Sequence, residues 1–106
     1  MTAAEIKRIV ASAFEVTVAD IEGYNRTRHV YLARRCAMWM IRKHKGMSMP
    51  AIARLFSNRD HTTVLHALRR AERDLWRYPI NQKYMRLLWE IESANEPVFK
   101  SKRSAA

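Results

Sequence analysis

The sequence predicts an all-α fold, a small helical bundle built around a central helix-turn-helix, and three observations lead there. Only two glycines and three prolines occur in 106 residues, whereas Ala, Leu, Met, Arg, Lys and Glu, the residues that lose least on entering a helix, are plentiful. Apolar residues recur three and four apart in one stretch after another, the signature of amphipathic helices. Between residues 48 and 77, a two-turn helical pattern, a short polar break and a longer helical pattern that opens on polar residues follow one another, which is the layout of a helix-turn-helix. With 48% hydrophobic residues the chain can bury one modest core, so a single domain over residues 1–96 is expected, followed by a basic, flexible tail over 97–106.

Each element has its own justification. AAEIKRIVASAF, residues 3–14, places Ile6, Ile9, Val10 and Phe14 at helical spacing, and TVADIEG adds a short helical turn begun by Thr17 and ended by Gly23. YNRTRH, 24–29, lacks apolar periodicity and reads as a basic loop. From Val30 to Lys45 the pattern is strongest. At about 100° per residue, Val30, Ala33, Cys36, Ala37, Met40 and Ile41 form an inward face that Leu32 and Trp39 extend, while Tyr31, Arg35 and Arg42 fall on an outward stripe. Gly46 is the C-terminal stop. Ser48 caps the next helix, Pro50 fits its first turn, and Ile52, Leu55 and Phe56 give it an apolar side. After a turn at Ser57-Asn58, where Asn tolerates a left-handed backbone, Asp60 caps a helix running to about Arg77. In that helix Val64, Leu68, Ala71 and Leu75, flanked by Leu65, face inward, and Thr62, His66, Arg69 and Arg73 face outward. Tyr78-Pro79 breaks the chain, and a last amphipathic helix is expected over 80–93 with Ile80, Tyr84, Leu87, Leu88 and Ile91.

Charge narrows the function. The formal net charge is +10, and the segment from Gly23 to Arg59 holds nine Arg and Lys residues and no Asp or Glu. A one-sign block of that length concentrates polyanions around the protein, with nucleic acid the first candidate and an anionic membrane surface the second. No stretch approaches the roughly 18 apolar residues of a membrane span. The single Cys36 lies on an apolar face as a core residue, and the first 14 residues are too charged for a secretory signal, so a reducing, cytoplasmic setting is expected.

The second half of the helix-turn-helix carries the chemistry. Its opening, Asp60, His61, Thr62 and Thr63, offers short hydrogen-bonding side chains at a helix start, where close approach to DNA is easiest. Asp60 can cap the helix, accept from a cytosine amino group, or do both; His61 and Thr62 can reach base edges. Thr63, at the positive end of the helix dipole, suits a phosphate oxygen, and Arg69, Arg70 and Arg73 lie farther along, where backbone phosphates would pass. Other chemistries have little support. His61 and His66 stand about 140° apart around the helix and do not form the i, i+4 pair that grips a metal. Two isolated glycines cannot build a nucleotide loop, and no nucleophile has an obvious base. No catalytic residue, metal, cofactor or small-molecule substrate is expected.

RDHTTVLHA, 59–67, preceded by SMPAIARLF, 48–56, and RHVYLARRCAMWMIRKHK, 28–45, resembles the C-terminal, Trp-repressor-like DNA-binding domain of the bacterial replication initiator family DnaA, over roughly residues 5–75. The resemblance implies binding to short double-stranded sites called DnaA boxes. It implies base contacts from Asp60, His61 and Thr62 in the major groove, Arg26 in the minor groove and Arg35. Backbone contacts would come from Arg28, Arg34, Arg42, Arg59, Arg69, Thr63 and the chain at Pro50. The sequence departs from the family where Leu32-Ala33-Arg34-Arg35 replaces the usual Arg-Pro-Arg-Gln and where Ser57-Asn58 replaces two glycines. An ATP-binding motor would need far more chain than lies ahead of the basic loop. The expectation is therefore a stand-alone, ATP-independent DNA reader in the nucleoid that regulates replication initiation or transcription and neutralises about six phosphates. The alternatives are a non-specific architectural binder, or a module that pairs with a replication initiator or with itself through residues 80–93.

Overall fold

A computed structural model of the chain describes residues 2–77 and, beyond them, Arg86, Leu87 and Glu90. Among the described residues there are helices and no strands: α1 (Ala3–Phe14), α2 (Val18–Glu22), α3 (Arg28–Lys45), α4 (Met49–Leu55) and α5 (His61–Arg77). The expected tail, the Tyr78-Pro79 break and most of the expected 80–93 helix lie outside these residues. Leu87 is the informative exception, because it is buried and belongs to the core cluster.

The helix starts follow from local chemistry. Thr2 and Thr17 each accept a hydrogen bond from the backbone three residues on, Glu5 N and Asp20 N, and Glu5 and Asp20 return the favour to the backbone of Thr2 and Thr17, so α1 and α2 both begin with a capping box. Ser48 Oγ accepts from Ala51 N at the start of α4, with Pro50 in the first turn. Gly46, at φ 62°, closes α3 through its N–H to the Arg42 carbonyl.

Packing centres on α3, which touches each of the other four helices. Ile6, Val10 and Phe14 of α1, Ile21 of α2, Ile52 and Phe56 at α4, and Val64 and Ala71 of α5 all bury against it or beside it. Two expectations about α3 change. It begins at Arg28, two residues ahead of the expected Val30. Arg35, expected on an outward stripe with Tyr31 and Arg42, is 5% exposed, and Arg34 is 7% exposed. The reason is neighbourhood: a helix surrounded by four others is covered nearly all the way round, so 100° periodicity no longer separates inside from outside. Arg28, Arg35 and Arg42 share one stripe at seven-residue spacing, but α5 crosses its middle and covers Arg35, leaving Arg28 and Arg42 exposed at the ends.

One buried cation has no counterpart in the apolar pattern of α1. Lys7, 5% exposed, donates to Glu22 Oε2 at 2.8 Å and to the Leu55 carbonyl at 2.5 Å, with its ammonium 4.8 Å from the centre of the Phe56 ring. It ties α1 to α2 and to the end of α4.

Candidate nucleic-acid interface

The helix-turn-helix consists of α4, a four-residue turn from Phe56 to Arg59 with Asp60 as cap, and α5. Both Ser57 (φ 67°) and Asn58 (φ 52°) adopt the left-handed conformation. Asn58 does so at small cost, whereas Ser57 is held there by bonds at both ends of the residue. Its Oγ donates to the Glu22 carbonyl at 2.5 Å and its own carbonyl accepts from Tyr24 Oη at 3.0 Å. Asp60 caps α5 through Oδ1, which accepts from Thr62 N at 3.1 Å, while its carbonyl accepts from Thr63 N at 2.9 Å. The first turn of α5 is therefore fixed in place by its own cap.

Asp60, His61, Thr62 and Thr63 are all exposed. So are Arg26 and Arg28 at the N-terminal end of α3, Arg42 near its C-terminal end, Pro50 on α4 and Arg69 on α5. Arg26, Asp60 and Thr63 line one broad concavity of about 690 Å³ with Tyr24, Tyr31 and Asn58. A second, smaller cleft of about 210 Å³ lies between α3 and α5, with Arg35, Met38, His66 and Arg70 among its walls. Tyr31 stands at both clefts: its hydroxyl accepts from Arg70 Nη1 at 2.7 Å and its ring lies 5.2 Å from the Arg35 guanidinium. The fold thus brings the basic loop and the start of α5 together around one hollow. Arg42 lies apart, at the far end of α3, where its Nη1 donates to the Met47 carbonyl.

Arg34, buried, and Arg59, half-buried, lie in the walls of both clefts with their guanidinium groups engaged by backbone carbonyls. Arg34 Nε donates to the Ile21 carbonyl at 2.7 Å, and its Nη2 donates to the carbonyls of Asp20 at 2.9 Å and Asn25 at 3.0 Å. Arg59 Nη1 donates to the carbonyls of Glu22 at 3.1 Å and Phe56 at 2.6 Å, and its Nη2 donates to the Gly23 carbonyl. The Arg59 guanidinium also stacks 4.7 Å from the Tyr24 ring. Burial lowers the pKa of both, and for Arg34 the nearby Arg59 charge adds to the effect. Both remain cations, as a guanidinium does in proteins. Sequence reasoning takes these arginines as surface charge because it cannot see that the C-terminal carbonyls of α2 arrive beside them.

Farther along α3, Trp39 Nε1 donates to Glu72 Oε1 at 2.9 Å, and Lys43 lies 3.5 Å from the same carboxylate. These contacts hold α5 to α3 away from the concavity. Among the described residues no His, Cys, Asp and Glu group could hold a metal ion, and no helix is long and apolar enough to cross a membrane.

Comparison with known proteins agrees with this architecture. The chain is similar to chromosomal replication initiator protein DnaA of Azoarcus sp. (strain BH72), 45% identical over 64 residues, which are 60% of this chain and 13% of that protein. It is 37% identical to the protein of that name from Latilactobacillus sakei over 75 residues, 71% of this chain and 17% of the relative. With the Picosynechococcus protein of the same name, identity is 36% over 86 residues, 81% of this chain and 18% of the relative. The chain thus spans less than a fifth of the length of these relatives. Residues 3–71, which take in α1 to α4 and most of α5, match the bacterial dnaA protein helix-turn-helix family, and the chain belongs to that family.

Proposed function

We propose that this chain binds double-stranded DNA sequence-specifically at DnaA-box-like sites, acting by occupancy alone and without ATP turnover by the residues present. The observation that carries the reading is the shared concavity: Arg26 lines it together with Asp60 and Thr63 at the start of α5, a juxtaposition that suits a major-groove helix with an arginine reaching the adjacent minor groove. Asp60, His61 and Thr62 read base edges; Thr63, Arg28, Arg42, Arg69 and the backbone at Pro50 hold phosphates. Arg35, buried beneath α5, supports this surface from below. The likeness to chromosomal replication initiator proteins directs the reading to control of replication initiation, with transcription at nearby sites as a further outcome of occupancy in the nucleoid.

With Arg28, Arg42 and Arg69 as the exposed guanidinium groups on phosphates, about three phosphates are neutralised, and log affinity falls against log salt with a slope of about −3. The test is a titration of a DnaA-box duplex and a scrambled duplex of equal length at one salt concentration. Preference for the box of at least roughly a thousand-fold supports the reading, in the range of specific over non-specific binding. Equal affinity for both sinks it in favour of a non-specific architectural binder.

A further inference from the structure

We propose that Arg59 and Arg34 form a carbonyl latch that fixes the Arg26 loop relative to the start of α5, so that they serve DNA binding as positioning residues and not as phosphate ligands. The proposal rests on the DNA-reading function argued above and assigns these two arginines a part the resemblance does not imply.

The end of a very short helix, α2, supplies the acceptors. The last carbonyls of α2 have no partner within it and lie at the negative end of its dipole. Five of the six carbonyls from Asp20 to Asn25 accept from side chains of α3 or the helix-turn-helix turn: Asp20, Ile21 and Asn25 from Arg34, Gly23 from Arg59, and Glu22 from Arg59 and Ser57. The carbonyl of Asn25 is the one immediately before Arg26. Arg59 is the residue immediately before the Asp60 cap. Arg34 thus anchors the loop to α3 at the residue before Arg26, and Arg59 ties the start of that loop, at Glu22 and Gly23, to the residue before the Asp60 cap.

Geometry separates this role from phosphate binding. Each guanidinium has five N–H groups, and each donates three hydrogen bonds to protein carbonyls. Three of the five N–H groups of each are therefore committed to the chain, and Arg34, at 7% exposure, presents little of itself to a phosphate. Tyr24 completes the arrangement. Its ring packs against Arg59 and its hydroxyl donates to Ser57 O, so the residue two before Arg26 is pinned to the turn two before Arg59.

A two-groove reader gains from such a latch because the positions of its two contacts are set before DNA arrives, and less freedom is lost on binding. Arg59→Lys is the discriminating variant. Lysine keeps the charge and binds phosphate well as a point charge, but its three N–H groups fan from one nitrogen on a flexible stem and do not reproduce the rigid fork by which Arg59 reaches three carbonyls from Nη1 and Nη2. The latch predicts that Arg59→Lys and Arg26→Ala each weaken binding to the box duplex roughly ten-fold and that the double variant is weaker by little more than either, since both remove the same docked arginine. Backbone order parameters at residues 24–27 should fall in Arg59→Lys, while those of α1 and α3 stay at rigid values. Tyr24→Phe, which removes only the bond to Ser57 O, should give the same pattern in smaller measure.

Wild-type affinity in Arg59→Lys would overturn the latch and make Arg59 a phosphate ligand. Losses that multiply to about a hundred-fold in the double variant, or an unchanged loop in Arg59→Lys, would overturn it as well. Failure of the underlying reading looks different: the unmodified protein would then not distinguish box from scrambled duplex, and the latch would fall with it.

Discussion

Asp60 is the residue where fold and function can be pulled apart most cleanly. Its Oδ1 accepts from Thr62 N at 3.1 Å, and its side chain is 68% exposed, so it is positioned both to start α5 and to meet a base. Replacing a capping Asp by Ala costs about 1 kcal/mol, and for a domain of this size that lowers the melting temperature by about 4–8 °C. Asn caps as well as Asp, so Asp60→Asn should melt within a degree or two of the unmodified protein. On DNA the two variants should behave alike. Each removes a negative charge facing a polyanion, a repulsion of about 1 kcal/mol for unit charges in water about 4 Å apart, so affinity for a scrambled duplex should rise about five-fold at low salt. Each also loses a carboxylate contact to a base, of about 1–3 kcal/mol in discrimination, so the ratio of box to scrambled affinity should fall by roughly five-fold or more. Thermal melts followed by circular dichroism, with anisotropy titrations on both duplexes, read these quantities separately. An unaltered melt in Asp60→Ala would refute the capping argument. An unaltered affinity ratio in Asp60→Asn would remove Asp60 from the base-reading set.

Three further outcomes follow from the structure. Lys7→Ala should destabilise the fold by about 2 kcal/mol, because it strands the Leu55 carbonyl and removes the contact with Phe56. The half-exposed Glu22 partner adds little to this through charge alone, and chemical denaturation gives the value directly; a loss under about 0.5 kcal/mol would mean Lys7 is incidental. Ser57→Gly relieves a left-handed serine but loses the hydrogen bond to Glu22 O, two effects of about 1 kcal/mol each with opposite sign. It should therefore be near neutral while Ser57→Ala, which keeps the strain and loses the bond, is about 1 kcal/mol less stable; equal stability of the two would contradict the strain argument. The Glu5 carboxyl has its pKa lowered by hydrogen bonds to the Thr2 backbone and side chain. A carboxylate lowered in the folded state stabilises fully above its unfolded pKa and loses that contribution as pH falls through the folded value. The melting difference between the unmodified protein and Glu5→Gln should therefore be larger at pH 6 than at pH 3, and a difference independent of pH would exclude the charged cap.

Much of this architecture was legible in residue spacing. The boundaries of α1, the caps at Thr17, Ser48 and Asp60, the stop at Gly46 and the outward face Thr62, His66, Arg69 and Arg73 are local features, and local chemistry determines them. What spacing could not supply were contacts between distant segments. Arg34 and Arg59 look like surface charge until the carbonyls of residues 20–25, 9 to 37 residues away in sequence, are placed beside them. Lys7 looks like the polar edge of α1 until Leu55, 48 residues on, is brought to it. Helical periodicity places Arg35 outward because it assumes a helix with one dry side, and α3 has neighbours nearly all round. The candidate interface was legible in kind, since DHTT at a helix start and a basic loop were visible as sequence. The division of its arginines into those that face solvent and those that brace the chain was not.

The position of α3 sets a floor on how small a working version of this protein can be. Because every other helix leans on it, a peptide cut down to α4 and α5 would leave Val64, Ala67 and Ala71 facing water and would lack the partner that gives those two helices their angle. Opening the bundle at any one helix therefore weakens the seat of all the rest, so unfolding should proceed as one step. An engineer wishing to transplant the reading surface must carry the central helix with it.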